Sequence, residues 1–188
     1  MEEAESPDTE VRLNRFIARS GVCSRRKADE LIMSGRVEVN GSVVTQLGIK
    51  VAPSDDVRVN GTLITPTKHI HVLLNKPRGV ITTVRDDRGR KTVLDLIGLE
   101  NRDNLGLFPV GRLDRDTTGV LLITNDGELG NRLMHPRYEI EKLYTVRTKR
   151  SLTARDIERL RDGVDLDGDK VRADHVGFVD RSDVRLIG

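Results

Sequence analysis

Residues 111–124 read GRLDRDTTGVLLIT, a loop crowded with charges and hydroxyls that runs straight into an apolar segment. Glycines at 111 and 119 bracket the polar part and permit a tight entry and exit. VLLIT (120–124) has the length and β-branched content of a central strand. An acid, Asp114, is thereby placed on a turn at a strand mouth, with Arg112 and Arg115 beside it. Three roles are open to it. It can shape an Asx-turn by accepting backbone amides. It can ligate a metal with Asp116 and Asp126, although the spacing matches no calcium loop and no His/Cys cluster accompanies it. Or it can act as a nucleophile or general base, kept ionised by the flanking guanidiniums.

Outward from this stretch, the pattern alternates between strands and helices without a strict βαβ repeat. Asn125-Asp126-Gly127 turns into a helix, ELGNRLM, and LFPV (107–110) leads into the loop from the other side. Further upstream, a strand at about 70–74 meets the turn Lys76-Pro77-Arg78-Gly79, followed by a second expected strand, VITTV (80–84). Asp86-Asp87-Arg88-Gly89 is another turn signal, and Thr92 can cap the short helix VLDLIG. Downstream, EKLYTVRT (141–148) alternates as a strand does. Thr153 with Asp156 three residues later reads as a helix start stapled by Leu152 and Ile157, Gly163 as its end, and Asp167-Gly168 as the turn of a hairpin. The fold class expected is α+β around a largely antiparallel mixed sheet.

The N-terminal third has a different texture. MEEAESPDTE (1–10) carries five acids and no base, and reads as a disordered acidic tail. Leu13, Phe16 and Ile17 fall at helical spacing, and Gly21 ends that helix. Ser24 caps a second helix whose Ala28, Leu31 and Ile32 share a face, with Gly35 as its stop. The β-prone runs VEV, SVV, VRV and TLI follow, with Asn40-Gly41 and Asn60-Gly61 set as hairpin turns. An α-α-β domain over 11–64, a linker over 65–70 around TPTKH, and a second domain over 71–188 are expected.

At 188 residues the chain can bury roughly 70% of its unfolded surface. The single cysteine, Cys23, rules out an internal disulfide and suits a reducing cytoplasm. No apolar run reaches membrane length and no secretory signal opens the sequence, so a cytoplasmic protein without a membrane partner is expected. The net charge is +2, yet the acidic tail alone contributes −5. The rest is therefore basic, with most of the basic residues arginine, which favours bidentate contacts to phosphate. Arg12, Arg15, Arg19, Arg25, Arg26 and Lys27 lie on or between the two N-terminal helices, where they can track RNA phosphates, and Ser24 offers free amides at a helix N-terminus. A well-solvated helix face is the plain alternative.

RLNRFIARSGVCSRRKADELIMSGRVEVNG (12–41) resembles the S4 domain, a small RNA-binding module named after a protein of the small ribosomal subunit. GRLDRDTTGVLLITNDGEL, with NKPRGVITT, NRLMHP and EKLYTV around it, resembles the pseudouridine synthases that modify ribosomal RNA, of the RsuA/RluB type. Together the likeness covers residues 11–187. It implies detachment of a uracil from its ribose at nitrogen, a turn of the base, and reattachment through carbon, without cofactor or metal. It implies that Asp114 is the essential carboxylate. It further implies that Arg112 fills the space the target base vacates, and that Tyr144 packs on the flipped base. Without the likeness, Tyr144 reads as a core tyrosine. Lys76 and Arg78 are expected to position phosphates, with solvated charges as the alternative, and His135 to be a loop residue rather than a base. The substrate implied is a uridine of ribosomal RNA, in the large subunit (23S) before the small (16S), and the chain is expected to be a monomer. The family has one more motif, Glu-Gly-Arg/Lys-Asn-Arg, beyond the position of SDVRLIG (182–188). The second domain is therefore expected to be incomplete, and an RNA-docking module of weak or no activity stands as the second reading.

Overall fold

Two Asn-Gly turns organise the N-terminal sheet. In the computed structural model, which describes residues 10–100 and 104–188, Asn40 and Asn60 adopt φ of 51° and 52°, each followed by a glycine at 78°. These paired positive values are those of the tight turn that matches strand twist. The chain separates into two compact units, one up to Tyr138 and one from Glu139 to Gly188.

The first unit opens with β1 (Val11–Arg12), α1 (Leu13–Arg19) and α2 (Arg25–Met33). The Ser24 hydroxyl caps α2 by accepting the Lys27 N–H at 3.3 Å. Strands β2 (Val37–Val39), β3 (Ser42–Val43), β4 (Lys50–Val51), β5 (Val57–Val59) and β6 (Thr62–Leu63) follow. Four of them form an antiparallel sheet in the order β3-β2-β5-β6, while β4 pairs with β1. Leu13, Phe16 and Ile17 of α1 and Ala28, Leu31 and Ile32 of α2 are buried against Val37, Val57 and Val59. The expected helical spacing is thus the packing face.

The same unit continues with β7 (His71–Lys76), β8 (Phe108–Pro109), β9 (Gly119–Thr124) and α3 (Gly127–Met134). β9 is central, antiparallel to both neighbours, with Lys76 opposite Gly119 and Leu74 opposite Leu121. A second core of Val80, Val93, Leu94, Ile97, Leu107, Leu121 and Ile123 lies behind it. VITTV does not form the expected strand. Only Ile81 bridges, in parallel, to Thr92, because the backbone turns at the next residue, the Thr83 N–H donating to Ile81 O at 3.1 Å. Residues 64–70 carry no regular structure, and they are fastened. The buried Asn125 side chain donates to Thr67 Oγ1, Lys68 O and Leu105 O at 3.0–3.2 Å and accepts the Ile70 N–H at 2.8 Å.

The second unit contains β10 (Val146–Arg147), α4 (Ala154–Asp162), β11 (Val164–Leu166), β12 (Asp169–Val171) and β13 (Leu186–Ile187). β10 pairs with β13, and β11 with β12 through the Asp167-Gly168 turn. Thr153 and Asp156 form a reciprocal capping box on α4, and Gly163 ends that helix at φ 103°. EKLYTVRT is a strand only at Val146–Arg147, where β13 supplies a partner. Tyr144 is outside it. Among the described residues no helix is long and apolar enough to cross a membrane.

Candidate active site

The Asp114 loop is held from beneath by a single segment, residues 76–82. Lys76 ends β7 with its side chain fully buried, at 0% exposure. An ammonium out of water needs acceptors for its three N–H donors. Here Lys76 Nζ donates to the carbonyls of Asp114 (2.8 Å), Thr117 (2.9 Å), Arg115 (3.1 Å) and Pro77 (3.2 Å). Three residues on, the Gly79 N–H donates to Arg115 O at 2.8 Å, with Gly79 at φ 81°. Three further on, Thr82 Oγ1 donates to Leu113 O at 2.6 Å and lies 3.3 Å from the Leu113 N–H. The Thr117 N–H closes the turn onto Asp114 O at 3.1 Å.

The backbone carbonyls of four loop residues are therefore occupied underneath, and the side chains of Arg112, Asp114, Arg115, Asp116 and Thr118 are left exposed. Among the described residues no hydrogen bond or ion pair engages the Asp114 carboxylate. The expected guanidinium partners are not in place: Arg112 and Arg115 reach solvent, where holding a long side chain against a carboxylate gains little. Asp114 is a bare acceptor on a rigid turn, able to attack an electrophilic carbon or take a proton.

The expected role of Lys76 at RNA phosphates is overturned. Its burial and its four carbonyl contacts make it the fastener of the loop. Arg78, two residues on, is exposed. Tyr144 lies in the second unit and is 54% exposed, so it is not the core tyrosine that composition alone allows. Among the described residues no three His, Cys, Asp or Glu side chains gather where they could hold a metal ion. Asp126 instead caps α3, accepting the Glu128 and Leu129 N–H groups at 2.9 and 3.1 Å. Burial pushes its carboxyl pKa up, but those amides and the His69 and His71 rings outweigh burial and hold it below the ordinary value.

The N-terminal cations divide by environment. Arg12 and Arg26 are exposed. Lys27 pairs with Glu30 at 2.6 Å. Arg15 crosses from α1 to Glu128 of α3 at 3.1 Å. The Arg19 carbonyl accepts the Thr67 hydroxyl and N–H. Burial first, then the nearby Arg15 and Arg12 guanidiniums, pull the Arg25 pKa below its usual value. Arg15, Arg19, Arg25 and Lys27, with Ser24, line one side of a cavity of about 1090 Å³. Sequence reasoning missed this cavity, the Asn125 clasp and the Thr82 contact, since each joins residues far apart in the chain. The one available signal was the even spacing of Lys76, Gly79 and Thr82.

Residues 70–183 match the family model of RNA pseudouridylate synthases, and residues 11–57 that of the S4 domain. The chain belongs to the RNA pseudouridylate synthase family. Within the family it is 48% identical over 160 residues to the ribosomal large subunit pseudouridine synthase B of Bacillus subtilis, covering 85% of this chain and 64% of that protein. It is 43% identical to a protein of Aquifex aeolicus named as an uncharacterized RNA pseudouridine synthase, covering 90% and 68%. A crystal structure described as a pseudouridylate synthase matches with a TM-score of 0.57 at 25% identity, over 94% of this chain and 75% of the other. The chain thus spans about two thirds of the length of these curated relatives.

Proposed function

We propose that this chain acts on ribosomal RNA, isomerising a uridine of the large-subunit RNA to pseudouridine, with Asp114 as the essential carboxylate. The observation that carries the reading is the exposed Asp114 carboxylate, unpartnered among the described residues, on a loop whose backbone is held by buried Lys76. Family membership supplies the reaction, and the name of the Bacillus subtilis relative supports the large subunit. The nitrogen–ribose bond breaks, the ring turns, a carbon–ribose bond forms, the hydrogen on that ring carbon leaves to solvent as a proton, and the freed ring nitrogen takes up a proton in its place. A turn prefixed in this way keeps the carboxylate aimed without reorganisation during the reaction. The S4-matching segment, with Arg12, Arg15, Arg19, Ser24, Arg25, Arg26 and Lys27 on or beside its helices, docks the RNA. Arg112 and Tyr144 serve the flipped base, Arg112 by filling its place in the RNA and Tyr144 by stacking on it. The test is tritium release from RNA labelled at the reacting uridine carbon: Asp114→Asn loses release while RNA binding persists. Undiminished release in that variant removes Asp114 from the chemistry.

A further inference from the structure

The 1090 Å³ cavity lies within the first unit, between the α1–α2 helices and the α3–β8 side, and the Asp114 loop does not line it. Its charge is one-sided. Five Lys/Arg and two His line it, and among the described residues no carboxylate does, although acids and bases are nearly equal in the whole chain. Among the described residues the guanidiniums of Arg25 and Arg85 have no carboxylate partner. The remaining wall mixes apolar side chains with the uncharged polar Ser24, Thr83, Asn125 and Asn131. Val22, Val84 and Met134 line the cavity while still exposed, and Phe108 joins them with its ring edge packed over Gly130, so close that a Cβ there would meet it at 2.8 Å. Unpaired guanidiniums beside an apolar and aromatic wall suit a chain that carries phosphates on one side and unstacked bases on the other. A paired duplex offers phosphates but no free base faces. The volume stands at the upper end of small-molecule sites.

We propose that this cleft holds a single-stranded stretch of the substrate RNA flanking the target uridine, with phosphates on Arg25 and Arg85 and a base against Phe108. This rests on the reading that the chain acts on RNA. Continuity with the reaction centre comes from Met134, which lines the cleft and whose sulfur accepts the Gly111 N–H at 3.0 Å, at the entry of the Asp114 loop.

Cys23 reports on the cleft directly, being the only cysteine, half-buried and on its wall. The whole chain is incubated with a short oligouridylate or with a blunt-ended RNA duplex, and alkylation of Cys23 by N-ethylmaleimide is timed by mass spectrometry. The oligouridylate is expected to slow alkylation about tenfold, the occupancy effect of a ligand at roughly ten times its Kd; the blunt duplex is expected to leave the rate within a factor of two or so. Binding of oligouridylate without protection overturns the cleft and leaves the RNA reading standing, as does equal protection by the duplex. Failure of both RNAs to bind sinks the two readings together. In parallel, Arg25→Gln with Arg85→Gln flattens the salt dependence of oligouridylate binding by roughly 0.7 in log–log slope for each side chain. An unchanged slope counts against the cleft.

Discussion

Two turns of similar composition end in opposite states. RDDRGR (85–90) and RLDRDTT (112–118) both place aspartate among arginines. In the first, Asp86 is consumed by its own neighbours. Its oxygens accept the Arg90 N–H at 2.7 Å, the Arg88 N–H at 3.2 Å and the Arg90 guanidinium at 2.7 Å. In the second, the backbone is fastened from outside by Lys76, Gly79 and Thr82, so the turn does not need its acid, and Asp114 stays free. The lesson is that a carboxylate becomes available for chemistry when something else does the structural work of its turn.

The largest effect is expected from exchanging the two acids in turn: Asp114→Asn loses tritium release, whereas Asp86→Asn retains most of it. Equal loss in both would erase the distinction. Next, Lys76→Met leaves buried loop carbonyls without a donor and lowers stability by about 3 kcal/mol or more. Urea unfolding reads that loss, and release of tritium falls with Asp114 still present. A variant as stable and active as the parent would show that the loop holds itself. Thr82→Val removes only the Leu113 contacts and is expected to cost about 1–3 kcal/mol by the same measurement.

The smallest effect is a titration. The Arg90 guanidinium, with the Arg90 and Arg88 amides, lowers the Asp86 carboxyl pKa from 3.8 to about 2. A depressed carboxyl contributes its stabilisation above the unfolded value, and that contribution is lost as pH falls from 3.8 through about 2. Carboxyl NMR of the folded chain should place the Asp86 midpoint near 2. A midpoint near 3.8 would mean that the Arg90 contact does not persist in solution.

Much of the fold was legible because its signals are local. The Asn-Gly turns, the Ser24 cap and the Thr153/Asp156 capping box each complete their hydrogen bonds within a few residues, so composition alone specifies them. VLLIT was legible as a central strand from its apolar content. The strands VITTV and EKLYTVRT were misread for a common reason. A strand needs a partner as well as a pattern, and beyond Ile81 and outside Val146–Arg147 no ladder continues. Lys76 was misread because a lysine before Pro-Arg-Gly has the look of a solvated turn.

By itself, then, the sequence determined the helix faces, the tight turns, the excess of arginine and the place of Asp114 at the start of a central strand. Tertiary structure decided which charges meet water. The pairing of Lys76 with Gly119 carries an ammonium beneath the Asp114 loop, where desolvation makes backbone carbonyls its only recourse. It also left Arg25 and Arg85 facing a cavity that no acid among the described residues lines. Such outcomes depend on contacts between segments tens of residues apart, and no local preference encodes them.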